Sequence, residues 1–118
     1  MHNYYTIINR KQIAPQSYQF SIQLNSDCRV YDGHFPGNPI APGACNIQMI
    51  KECVEYIIGH QLQYLTISRC KFLQPINLSD TTKANNYTLQ LSVNDNNVDA
   101  TLKQDDIIFI KLKSTITI

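Results

Sequence analysis

Residues 33–43 read Gly33-His34-Phe35-Pro36-Gly37-Asn38-Pro39-Ile40-Ala41-Pro42-Gly43 and run straight into an amphipathic segment. Three prolines and three glycines in eleven residues fix the backbone at some positions and free it at others, so the loop is expected to hold a defined shape. From Gly43 on, Ile47, Ile50, Val54, Ile57 and Ile58 recur at helical spacing, and Gly59 is a natural stop. The spacing predicts a helix from Ala44 to Ile58 with Gln48, Lys51, Glu52 and Glu55 on its polar side. The loop thus ends at a helix N-terminus, whose unpaired N–H groups favour an anionic oxygen. A histidine at the start of the loop adds a base that titrates near neutrality. Together they suit carbanion or acyl chemistry.

The flanking sequence reads as β-structure. In residues 17–24, Tyr18, Phe20, Ile22 and Leu24 alternate with polar side chains, the pattern of a half-buried strand. Tyr87, Leu89, Leu91 and Val93 repeat it. Asn94-Asp95-Asn96-Asn97 then supplies a turn, since Asn and Asp tolerate the left-handed conformation. A return strand begins at Val98, Lys103-Gln104-Asp105-Asp106 makes a second turn, and 107–118 forms a long β-branched strand with Ile108, Ile110, Leu112 and Ile116 on one face. Tyr64–Phe72 is a further strand, ended by Pro75. One helix cannot bury itself, so five to six antiparallel strands must curl around it, giving a single α+β domain over 1–118.

Composition agrees. At 118 residues, 43 % hydrophobic and 16 % charged, with a formal net charge of +1, the chain can build one core. It has no global field for nucleic acid or an anionic membrane. No apolar run reaches the roughly 18 residues of a spanning helix, and the start, MHNYYTIINRKQ, lacks the pattern of a signal peptide. Cys28, Cys45, Cys53 and Cys70 form no C-x-x-C pair, and His2, His34 and His60 lie beside none of them. No metal site or organic cofactor is therefore expected. The cysteines read as reduced thiols in a cytoplasmic protein, with Cys45 filling the place of a core aliphatic.

The run His34-Phe35-Pro36-Gly37-x-Pro39-x-x-Pro42-Gly43 resembles the signature of the 3-hydroxyacyl-[acyl-carrier-protein] dehydratases, small hot-dog proteins of type II fatty acid synthesis. The prolines and glycines alone would match by chance in about one chain of this length in ten thousand. A second block, Ile67-Ser68-Arg69-Cys70-Lys71-Phe72-Leu73-Gln74-Pro75-Ile76, resembles the family's strand of the form V-K-F-x-x-P-V. The resemblance implies a hot-dog fold and dehydration of 3-hydroxyacyl thioesters to trans-2-enoyl thioesters, with no cofactor. It implies that His34 removes the α-proton and that the Gly43 N–H holds the thioester oxygen. Phe35, Pro36, Gly37, Pro42 and Phe72 would line the substrate site. A helix carboxylate from the neighbouring subunit would manage the departing hydroxyl.

That carboxylate position is Gln48 here, five residues past Gly43. An amide hydrogen-bonds but does not transfer protons at ordinary pH. Gln48 either orients substrate or water in a dehydratase whose titrating group is His34, positions a hydrolytic water in a hot-dog thioesterase, or marks a non-catalytic acyl-thioester-binding subunit of a dehydratase heterocomplex. It is also an ordinary residue for a solvated helix face. Glu52 lies one turn further on, facing roughly the same way. The implied partners are an acyl carrier protein or another acyl thioester, and a second subunit, as homodimer, higher homo-oligomer or heterodimer with a related chain. Arg29, Arg69 and Lys71 are candidates to meet the acidic carrier; Lys103, Lys111 and Lys113 read as solvent-face charge or edge protection.

Overall fold

The structure is a computed structural model that describes residues 4–25, 41–59, 61–62, 64–76, 78 and 86–116. Its elements in chain order are β1 (Tyr5–Ala14), β2 (Ser17–Leu24), α1 (Gly43–Ile58), β3 (Tyr64–Phe72), β4 (Asn86–Asn94), β5 (Asn97–Gln104) and β6 (Ile107–Ile116). The six strands form one antiparallel sheet in the order β1-β2-β4-β5-β6-β3. Its inner side chains, among them Phe20, Ile22, Leu24, Leu89, Leu91, Leu102, Ile110, Leu112 and Ile116, join Met49, Ile50, Cys53 and Val54 of the helix in one buried core. This is the hot-dog architecture, a single helix wrapped by a curled sheet. Among the described residues no helix is long and apolar enough to cross a membrane.

Local chemistry explains the connections. The hairpins β1–β2, β4–β5 and β5–β6 each close through two residues, with Ala14 opposite Ser17, Asn94 opposite Asn97 and Gln104 opposite Ile107. Asp95 and Asp105 take positive φ of 53° and 52°, a conformation that short polar side chains tolerate. The helix stops at Gly59, whose φ of 92° places it in the left-handed region, and its N–H donates to Glu55 O at 2.7 Å.

Two details depart from the sequence reading. The helix buries Asn46, Met49, Ile50, Cys53 and Val54, while Ile47, Ile57 and Ile58 are only partly buried. Ile50 and Val54 of the expected stripe are thus in the core, while Ile47, Ile57 and Ile58 sit at its margin and Asn46, Met49 and Cys53 share the buried face. In β6, Phe109 falls in the register shift opposite Leu102 and Lys103 and is an extra residue in the ladder. This bulge lets the neighbours Phe109 and Ile110 both be buried, while Ile108 is only half-buried.

Candidate functional site

Gly43 opens the helix after Pro42, whose extended backbone (φ −67°, ψ 137°) caps it without a side-chain hydrogen bond. The Phe72 ring of β3 lies where a side chain on residue 43 would go: a Cβ there would stand 2.7 Å from Phe72 Cζ. Any larger residue at 43 would have to push the exposed Phe72 ring aside. The pair stands at a cavity of about 600 Å³ whose wall also includes Asn46, Leu73, Pro75 and Ile110. Two main-chain bonds frame it. Ala41 N–H donates to Ile76 O at 2.8 Å, joining the segment before the helix to the one after β3, and Leu73 N–H donates to Phe109 O at 2.7 Å.

Gln48 is half-buried and does not line that cavity. Five residues along a helix turn the side chain by about 140°, so Gly43 and Gln48 face different sides. Gln48 Nε2 donates to Glu52 Oε2 at 3.1 Å, and the Tyr5 hydroxyl donates to Glu52 Oε1 at 2.7 Å. Both carboxylate oxygens of Glu52 are thus engaged. Burial, and then the hydrogen bond to Glu52 and the negative charge around it, hold the Tyr5 phenol well above its usual range. Burial, with Glu52 next, pushes the Cys53 thiol up to about 12. Cys70 is also raised, by burial. Glu55 is committed elsewhere, accepting the Leu62 N–H at 2.9 Å.

Of the residues expected from sequence, the structure brings Pro42, Gly43 and Phe72 to one cavity and sets Gln48 apart. Arg69 and Lys71 are exposed on β3, opposite Lys113 and Lys111 of β6. His34, Phe35, Pro36, Gly37 and Arg29 lie outside the described residues, as do His2, His60 and Cys28. Asn46 escaped the sequence reading, although a polar residue in phase with Met49, Ile50, Cys53 and Val54 signals a buried polar group. Among the described residues no three His, Cys, Asp or Glu side chains are placed to hold a metal ion.

A single helix in a curled six-stranded sheet, with a cavity at the helix N-terminus, defines a hot-dog domain of the dehydratase kind. The chain belongs to the ApeI-like family, described as ApeI dehydratase, whose model matches residues 10–107. It is similar in fold to the dehydratase heterocomplex ApeI:P from Xenorhabdus doucetiae, with a TM-score of 0.81 and 18 % identity over 96 % of this chain and 97 % of that one. It is also similar to an uncharacterized protein from Erwinia carotovora subsp. atroseptica, with a TM-score of 0.72 and 19 % identity over 96 % and 95 % of the two chains. No curated protein sequence matches it.

Proposed function

We propose that this protein dehydrates 3-hydroxyacyl thioesters carried on an acyl carrier protein, giving trans-2-enoyl thioesters. The observation that carries this reading, beside the family, is the cavity that Gly43 and Phe72 share at the start of the helix. An apolar wall suits an acyl chain, and the helix N-terminus suits the oxygen that gains enolate character. His34, nine residues before Gly43, takes the α-proton. The C2–H electron pair becomes the C2=C3 bond, the C3–O bond breaks, and the imidazolium returns its proton to the departing hydroxyl as water. Gln48 holds that hydroxyl without exchanging protons.

The different facings of Gly43 and Gln48 support a site completed by a second subunit: the cavity of one protomer would meet the Gln48 side of another. The outer face of the sheet supports an acidic carrier. Arg69 opposes Lys113, and Lys71 opposes Lys111, and Lys113 Nζ reaches Asp99 Oδ1 only at 3.6 Å in an exposed ion pair. Like charges directly opposed destabilise a sheet slightly, a cost that an acidic partner would offset. Reversing Lys71 and Arg69 to glutamate should weaken carrier binding at least tenfold in calorimetry, and the loss should shrink as salt is raised. Unchanged affinity would remove this face from the account.

A second reading has its own observation. By the resemblance Gln48 would stand at the carboxylate position, and a structure of similar fold is a dehydratase heterocomplex. The chain would then be an acyl-binding subunit whose partner supplies the acid. The two are separated by incubating the chain with a 3-hydroxyacyl carrier protein, alone and with a related subunit, and following loss of water by mass spectrometry. Enoyl product from the chain alone supports the first reading; product only with both subunits supports the second. Free acid released from a saturated acyl thioester would instead indicate a hot-dog thioesterase.

A further inference from the structure

Asn46 is 2 % exposed and sits in the wall of the Gly43 cavity. Its Oδ1 accepts the buried Tyr4 hydroxyl at 2.6 Å, and its backbone N–H donates to Pro42 O at 3.1 Å. With Oδ1 taken by Tyr4, Nδ2 is the end of the amide that can serve a ligand in the cavity. Tyr4 fixes which end of the amide is which, because a hydroxyl donating to Oδ1 leaves Nδ2 turned the other way.

Helix geometry brings this amide to the place where chemistry is expected. Residues three apart share a face, and helical side chains lean back over the preceding turn. Asn46 therefore leans toward Gly43, where no Cβ intervenes and the Phe72 ring closes the other side. The other side chains at the cavity are mostly apolar: Ala41, Phe72, Leu73, Pro75, Ile76 and Ile110. The pattern selects an elongated apolar ligand bearing an acceptor oxygen near the helix N-terminus.

We propose that Asn46 is a substrate-binding residue whose Nδ2 donates to the acyl carbonyl oxygen beside the Gly43 N–H, with Tyr4 as its positioning residue. This rests on reading the cavity as an acyl-thioester site. The test compares a medium-chain acyl pantetheine thioester with its thioether analogue, in which a methylene replaces the carbonyl, by calorimetry on the whole chain. Wild type should prefer the thioester, and Asn46→Leu should lower that preference three- to tenfold while leaving thioether affinity within about twofold. If Asn46→Leu does not fold, Tyr4→Phe keeps the amide but releases its orientation, and should lower the preference about threefold.

A folded variant with the wild-type preference overturns the assignment of Asn46 and leaves the acyl cavity standing. A wild type that binds both ligands equally does the same. If wild type binds neither, the acyl-thioester reading fails and the assignment of Asn46 fails with it. A merely structural Asn46 would move stability and not the difference between two ligands that share every heavy atom but the carbonyl oxygen.

Discussion

Gln48 and Glu52 sit one turn apart on the helix and are joined by a 3.1 Å hydrogen bond, yet they differ in what each can do with a proton. The amide can only orient; the carboxylate can exchange, but the Tyr5 hydroxyl and the Gln48 amide already occupy both of its oxygens. Restoring a carboxylate at the orienting position should therefore help a dehydratase. Gln48→Glu is expected to raise enoyl formation at least tenfold, within the 10²–10⁴ span of general acid–base assistance, measured as initial rate with a saturating 3-hydroxyacyl substrate. An unchanged rate would mean that residue 48 does not meet the substrate. The Gln48 site and its neighbours also set a pH limit. The Cys53 thiol is raised from 9.0 to about 12 and Tyr5 is raised as well, so the unfolded chain ionises these groups first. The Cys53 contribution is intact below about pH 9 and is lost as pH climbs toward 12, at up to about 1.4 kcal/mol per pH unit, and half-buried Tyr5 adds a smaller, solvent-screened loss in the same direction. Denaturant midpoints between pH 8 and 11 should fall, and Cys53→Ala should fall less steeply over that interval.

At the scale of elements, what was legible in the sequence followed from how regular each element is. β2 lies where alternation placed it, at Ser17–Leu24, β3 fills the expected span Tyr64–Phe72, and the helix begins one residue earlier than its spacing predicts. β1 had no such pattern. Its pairing with β2 shifts between Ile7 and Asn9 and between Gln12 and Ala14, so Ile8 and Ile13 are extra residues. Both are more than half exposed. Two bulges break the period of two that sequence reading depends on. On the helix, Ile50 and Val54 are buried as their spacing implies, while Met49, Cys53 and Asn46, which mark apolarity less loudly than isoleucine, share the core face in place of Ile47, Ile57 and Ile58. In β6, Ser114 is buried opposite Ile67 and Val98, and its Oγ finds no partner among the described residues. Ser114→Ala should stabilise the protein by about 1 kcal/mol, read as a rise in the denaturation midpoint with an unchanged slope. A loss of stability would mean that the hydroxyl is satisfied.

Over the whole molecule, the sheet ends in two edges, β1 and β3, and both are irregular. β3 shifts register between Tyr64 and Thr66 and between Ile67 and Arg69, as β1 does at its own two positions. Bulges twist an edge away from uncontrolled pairing. On β1 a charged side chain adds to this, since Arg10 pairs with Phe20 and borders a pocket with Tyr56 and Ile57. At the end of β3 the exposed Phe72, with Leu73 after it, leaves apolar surface at the cavity. The loop of residues 33–43 gave the class of chemistry, because its residues are contiguous and carry their meaning in order. Phe72 was legible within its own block, whereas Tyr4 and Asn46 were not, because they stand 42 residues apart and meet only in the fold. The central claim, that the cavity serves dehydration with His34 as base, is tested most directly by one measurement: water loss from a 3-hydroxyacyl carrier protein, followed by mass spectrometry, with wild type and His34→Ala side by side. The account predicts enoyl product from wild type and a loss of at least a hundredfold in the variant; product formed equally fast without the imidazole would contradict it.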